Sequence, residues 1–158
     1  MVDLLTVKYK QSGKSSNTNA MGMREMQARA FEARNAQYLL LKAPPASGKS
    51  RALMFLGLDK LVNQGLKKVI VAVPEMSIGG SFKDTKLTEY GFFADWIVQP
   101  EYNLCVSGTD SVSSSKTKAF QKFMSDKTSQ TLVCTHATLR FAFQTLDPSV
   151  FDDTLLAI

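Results

Sequence analysis

The chain has 158 residues, 44% of them apolar, which suits one folded domain that needs neither disulfides nor metal to hold its core. Its two cysteines, Cys105 and Cys134, lie in apolar segments without CxxC spacing or a histidine cluster. That argues against a zinc or disulfide framework and predicts buried free thiols. A formal charge of +5 and a pI near 9.2 suit a phosphate-bearing partner, because lysines and arginines facing a polyanion release its counterions.

Taken in chain order, Val2 to Lys10 is compatible with a short strand, and Gln11 to Ala20 is Ser, Asn, Thr and Gly rich, a loop composition. Residues 1–21 are therefore expected to be an N-terminal extension or loop, and 22–158 one domain. Met23, Met26, Ala30 and Ala33 recur at helical spacing and predict an amphipathic helix over 22–35. Tyr38-Leu39-Leu40-Leu41 is a short apolar run, expected as a buried strand. After Ala43 to Ser50, the residues Ala52, Leu53, Phe55, Leu56, Leu61 and Val62 predict a largely buried helix ending near Gly65. Val69 to Val73 is too apolar to be half-exposed, and Pro74 stops it.

From Phe82 to Ser115 the apolar residues Phe92, Phe93, Trp96, Ile97, Val98 and Leu104-Cys105-Val106 suggest one or two strands of undetermined order. A helix around Lys116 to Met124 precedes a third buried run, Thr131 to Thr135, and Thr154 to Ile158 is a fourth. Wholly apolar strands alternating with helices require a mostly parallel sheet covered on both faces, so the fold class is α/β. No apolar run reaches the eighteen or so residues of a membrane span, and the start lacks a signal-peptide pattern. A soluble, cytoplasmic protein with no membrane partner is expected.

The most informative stretch is Ala43-Pro44-Pro45-Ala46-Ser47-Gly48-Lys49-Ser50, which matches [AG]xxxxGK[ST] between an apolar run and an apolar helix. In such a loop the backbone N–H groups point at phosphate oxygens, Gly48 lets the backbone approach closely, and the following helix presents its positive end. Lys49 is expected to reach the β- and γ-phosphates, and the Ser50 hydroxyl to ligate Mg²⁺. Ser12-Gly13-Lys14-Ser15 also reads GKS, but it has Lys8 at the leading position and no buried strand before it, so it is expected to be a plain loop.

With Met23-Arg24-Glu25-Met26-Gln27 upstream, Val69 to Ser81 downstream and Leu132 to Leu139 beyond, the chain resembles the first RecA-like domain of superfamily 2 helicases and translocases. The nearest likeness is to bacterial and phage proteins related to restriction-enzyme translocases. The resemblance implies a P-loop NTPase fold, with ATP and Mg²⁺ as cofactors. It implies ATP contacts from Gln27, Arg24, Pro45, Ala46, Ser47, Gly48, Lys49 and Ser50, with the Gln27 carboxamide offering adenine a donor and an acceptor side by side. Pro74 and Ser77 fall where motif Ia touches nucleic acid, and Thr135 and Thr138 where the threonine turn of motif Ic holds a backbone phosphate. Glu75 and Met76 stand where DEAD-box RNA helicases carry Thr and Arg, which favours DNA over RNA as the partner. His136 is given no catalytic role.

In the family an Asp-Glu pair directly follows the strand that Thr154 to Ile158 resembles. There the Asp holds Mg²⁺ and the Glu orients the attacking water. Asp152 and Asp153 precede that run, at the wrong end of a strand for a site built at carboxyl ends. The chain is therefore expected to be truncated just before its second catalytic motif, with no catalytic residue of its own, nucleotide binding that is weak or absent, and no turnover. A second RecA-like domain of the same full-length chain is the expected partner, and a bare sheet edge is expected where the chain stops. The alternatives are a phage terminase-like packaging motor, a small-molecule kinase, and a non-hydrolysing nucleotide-dependent module that binds nucleic acid.

Overall fold

The structure, a computed structural model, describes residues 19–105 and 113–158. The proposed strand at Val2 to Lys10, the second GKS sequence and Val106 lie outside those residues. Three parallel strands form one sheet in the order β2-β1-β3: β1 is Lys68–Val73, β2 Thr131–Thr135 and β3 Thr154–Ala157. Helices α1 (Glu25–Glu32) and α2 (Lys49–Asn63) precede β1. The short α3 (Met76–Gly79) follows it, and α4 (Ser113–Ser125) and α5 (His136–Thr145) flank β2.

The alternation of side chains along β1 divides the core into two layers. Val69, Val71 and Val73 join Met54, Phe55 and Leu58 of α2, Phe31 of α1, and Val133 and Ala157 of the neighbouring strands. Ile70 and Ala72 face the other way, onto Phe120 and Phe123 of α4, Leu139 and Ala142 of α5, and Leu132 and Cys134. The register explains this, since Val71 pairs with Val133 and Ala157 while Ile70 pairs with Leu132 and Leu156. A strand buried on both faces is apolar along most of its length, and β1 is buried throughout, with Val69 to Val73 apolar and only Lys68 at its start charged. The molecule is thus an α/β sandwich around an all-parallel sheet, consistent with an incomplete RecA-like domain. Both cysteines are buried free thiols, and no helix among the described residues is long and apolar enough to cross a membrane.

Two expectations are corrected. Tyr38 to Leu41 is not a strand: no strand lies beside it among the described residues, and without a ladder partner Tyr38 and Leu40 stay 87% and 91% exposed. The phosphate loop is therefore entered from an irregular segment. From Phe82 to Cys105 the chain folds as 3₁₀ turns and isolated bridges, with Thr85 opposite Trp96 and Asn103 beside Val133. Leu104 N–H does donate to the Val133 carbonyl at 2.8 Å, so this stretch lines the outer side of β2 without forming a regular strand. The outer side of β3 carries no strand among the described residues.

Candidate nucleotide-binding site

The turn before α2 has the backbone of an anion cradle. Ala46 (φ 59°) and Gly48 (φ 93°) both lie in the left-handed region, which aims neighbouring amides into a common concavity. The amides of Ala46 and Gly48 have no acceptor among the described residues, and Ser47 N–H makes only a long 3.4 Å bond to the Pro44 carbonyl. The Ser47 hydroxyl is buried without a partner among the described residues. Helix α2 starts at Lys49, so its unsatisfied first-turn amides open on the same turn. The Lys49 ammonium donates to the carbonyls of Ala43 at 2.8 Å and Pro44 at 2.7 Å, folded over the loop it belongs to.

Gln27 reaches this turn from α1. Its side chain is 2% exposed, with Oε1 accepting from Arg24 N–H at 2.8 Å and Nε2 donating to the Gly48 carbonyl at 3.1 Å. A Cβ on Gly48 would stand 2.5 Å from that Nε2, so this glycine is required both by its φ and by the carboxamide packed on it. Gln27 and the phosphate loop are thereby brought into direct contact. The carboxamide is already committed to the protein's own backbone, which leaves one N–H and one lone pair for a ligand.

These residues line a cavity of about 520 Å³. Arg24, Gln27, Ala46, Gly48, Lys49 and Ser50 form part of its lining; Pro45 and Ser47 are in the turn but do not line the cavity. Sequence reasoning missed Arg51 and Met54 of α2, and Gly80, Ser81, Lys83 and Thr85 from the segment leaving β1. Their one available signal was position, since a loop at the carboxyl end of a parallel strand lies where such sheets bind ligands. Arg24, Lys49, Arg51 and Lys83 give the lining four cations, and it contains no carboxylate, which is the charge pattern of an anion receptor. No group of three or more His, Cys, Asp or Glu side chains among the described residues could hold a metal alone. Ser50, in the first turn of α2, supplies a hydroxyl of the type that ligates Mg²⁺ jointly with phosphate oxygens.

Along its whole length of 158 residues the chain is 63% identical to a Bacillus subtilis (strain 168) protein described as "Putative ATP-dependent helicase YeeB". The similarity supports a helicase-like family. The chain spans 26% of the length of that curated relative. No family model matches it, and no solved structure does.

The residues expected to meet nucleic acid lie together beyond the carboxyl ends of β1 and β2, where Val73 pairs with Thr135. Pro74 and Ser77 are exposed. Thr135 is the N-cap of α5, its Oγ1 accepting from Thr138 N–H at 3.3 Å and lying 3.1 Å from the Thr138 hydroxyl. His136 is exposed. Asp152 and Asp153 precede β3, and Asp153 faces away from the cavity toward Lys67, 3.2 Å away.

The amino end of the sheet holds a separate polar network. Lys68 is buried and donates to the carbonyls of Asp126 and Ser129 with its ammonium 4.4 Å from the Phe123 ring centroid. Burial holds its pKa below the usual lysine range, partly offset by the Asp126 charge. Asp126 accepts from the hydroxyl and amide of Thr128 and the hydroxyls of Tyr102 and Ser129, which hold its carboxyl well below the ordinary range. These groups tie α4 to β1 and are distant from the cavity in the fold.

Proposed function

We propose that this chain is the ATP-binding part of the first RecA-like domain of a superfamily 2 helicase or DNA translocase, in which ATP hydrolysis by the whole protein drives movement on nucleic acid. The observation that carries the reading is the Ala43–Ser50 turn, with two left-handed residues, free amides and an ammonium and a hydroxyl at the start of α2. The similarity of the chain to about a quarter of a protein described as "Putative ATP-dependent helicase YeeB" supports it.

In this reading Lys49 leaves the Ala43 and Pro44 carbonyls to pair with the terminal phosphates, and Ser50 is a ligand of the Mg²⁺ that accompanies them. When bound, that ion neutralises charge on the β- and γ-phosphate oxygens. Ala46 and Gly48 face the phosphates from a turn that Pro45 and Ser47 complete, while Gln27 and Arg24 face the base. Pro74, Ser77, Thr135 and Thr138 contact the nucleic-acid backbone, with DNA favoured over RNA. A second RecA-like domain of the whole protein completes the ATP site.

The test is ATPase activity of the whole protein with and without DNA, for the natural sequence and for Lys49→Ala. Stimulation by DNA that disappears in Lys49→Ala is expected. DNA affinity without DNA-stimulated turnover would instead favour a nucleotide-dependent binding module.

A further inference from the structure

The segment leaving β1 enters the cavity on a fixed backbone. Trp96, fully buried, clamps it from both sides: its indole N–H donates to the Phe82 carbonyl at 3.0 Å, and it exchanges backbone hydrogen bonds of 2.9 and 3.0 Å with Thr85. Phe82 is buried beneath the clamp, and the Thr85 hydroxyl donates to the Lys83 carbonyl at 2.9 Å. Lys83 therefore stands between anchored neighbours, its side chain exposed and lining the same cavity as Lys49 and Arg24.

Charge makes this placement informative. The nearby Lys86 pairs with Glu89 at 3.8 Å, whereas the Lys83 ammonium has no acceptor among the described residues. A cation left unpaired in a cavity with three others and no acid raises the local potential, and an anionic ligand relieves that repulsion. Lys49 already donates to two carbonyls of its own loop, so Lys83 is the more available donor before a ligand arrives.

We propose that Lys83 pairs with the polyphosphate of the bound nucleotide, and so ties the segment leaving β1 to nucleotide occupancy. This rests on the nucleotide reading of the cavity. The consequence is a link between sites, because the same short segment begins with Pro74 and Ser77 at the surface assigned to nucleic acid.

The experiment is an NMR titration of the full chain with millimolar MgATP, MgADP and adenosine, for the natural sequence, Lys83→Ala, Lys83→Arg and Lys49→Ala. Lys83→Ala is expected to weaken ATP and ADP about three- to tenfold, as loss of one exposed charge-assisted contact would. Adenosine binding and the thermal midpoint should not change, and Lys83→Arg should retain most of the affinity. Nucleotide binding that depends on Lys49 but is indifferent to Lys83→Ala overturns this inference and leaves the cavity's assignment standing. Absence of any ATP-dependent shift in the natural sequence removes both.

Discussion

Replacing Gly48 by alanine perturbs two features whose costs can be separated. A side chain at φ 93° incurs left-handed strain of about 1–2 kcal/mol. The new methyl, placed 2.5 Å from Gln27 Nε2, also displaces a carboxamide that is pinned at both ends, losing a hydrogen bond that contributes about 1 kcal/mol. The sum of about 2–3 kcal/mol corresponds to a thermal midpoint roughly 5–10 °C lower for a chain of this size. Urea denaturation of Gly48→Ala, Gln27→Ala and the double variant apportions it. Removing Gln27 clears the space that the methyl needs, so the double variant should be more stable than the sum of the single effects predicts, by about 1 kcal/mol. Strict additivity, within about 0.5 kcal/mol, would refute the claim that α1 and the phosphate loop are coupled through this contact.

Thr135→Ala removes the N-cap of α5 and should cost about 1 kcal/mol in urea denaturation, with little change in the native spectrum. Asp126 has a folded pKa below its unfolded value. Its stabilising contribution is thus present in full above the ordinary carboxylate pKa of about 3.9 and disappears as pH falls through the lower folded value. Asp126→Asn should accordingly flatten the acid limb of the thermal midpoint against pH, and an unchanged limb would count against the network. Burial pushes the Cys134 thiol up to about 12, so iodoacetamide near pH ~8 should spare it in the native protein and label it in urea, as read by mass spectrometry.

The strands were legible where burial on both faces forces the central positions to be apolar. Val69 to Val73 and Thr131 to Thr135 were bounded to within a residue for that reason. The phosphate loop was legible because its chemistry constrains residue type at fixed spacing, and Gln27 was found through the resemblance. Tyr38 to Leu41 misled because an apolar run records only a tendency to be covered, while a strand exists only beside a partner strand. Phe82 to Cys105 was illegible for another reason. Phe82, Leu87, Phe92, Trp96, Val98 and Tyr102 are all buried, yet their spacing follows neither a period of two nor one of 3.6, because 3₁₀ turns and isolated bridges carry them. The cavity residues of that segment, Lys83 among them, could be placed only by its tertiary path.

The central claim is that the turn from Ala43 to Ser50 holds nucleotide phosphates, and a crystal structure with Mg²⁺ and a non-hydrolysable ATP analogue tests it most directly. The account predicts phosphate oxygens against the amides of Ala46 and Gly48, the Lys49 ammonium withdrawn from the Ala43 and Pro44 carbonyls to the terminal phosphate, and the Ser50 hydroxyl on the metal. An analogue bound elsewhere, with Lys49 still folded onto its own loop, would contradict it.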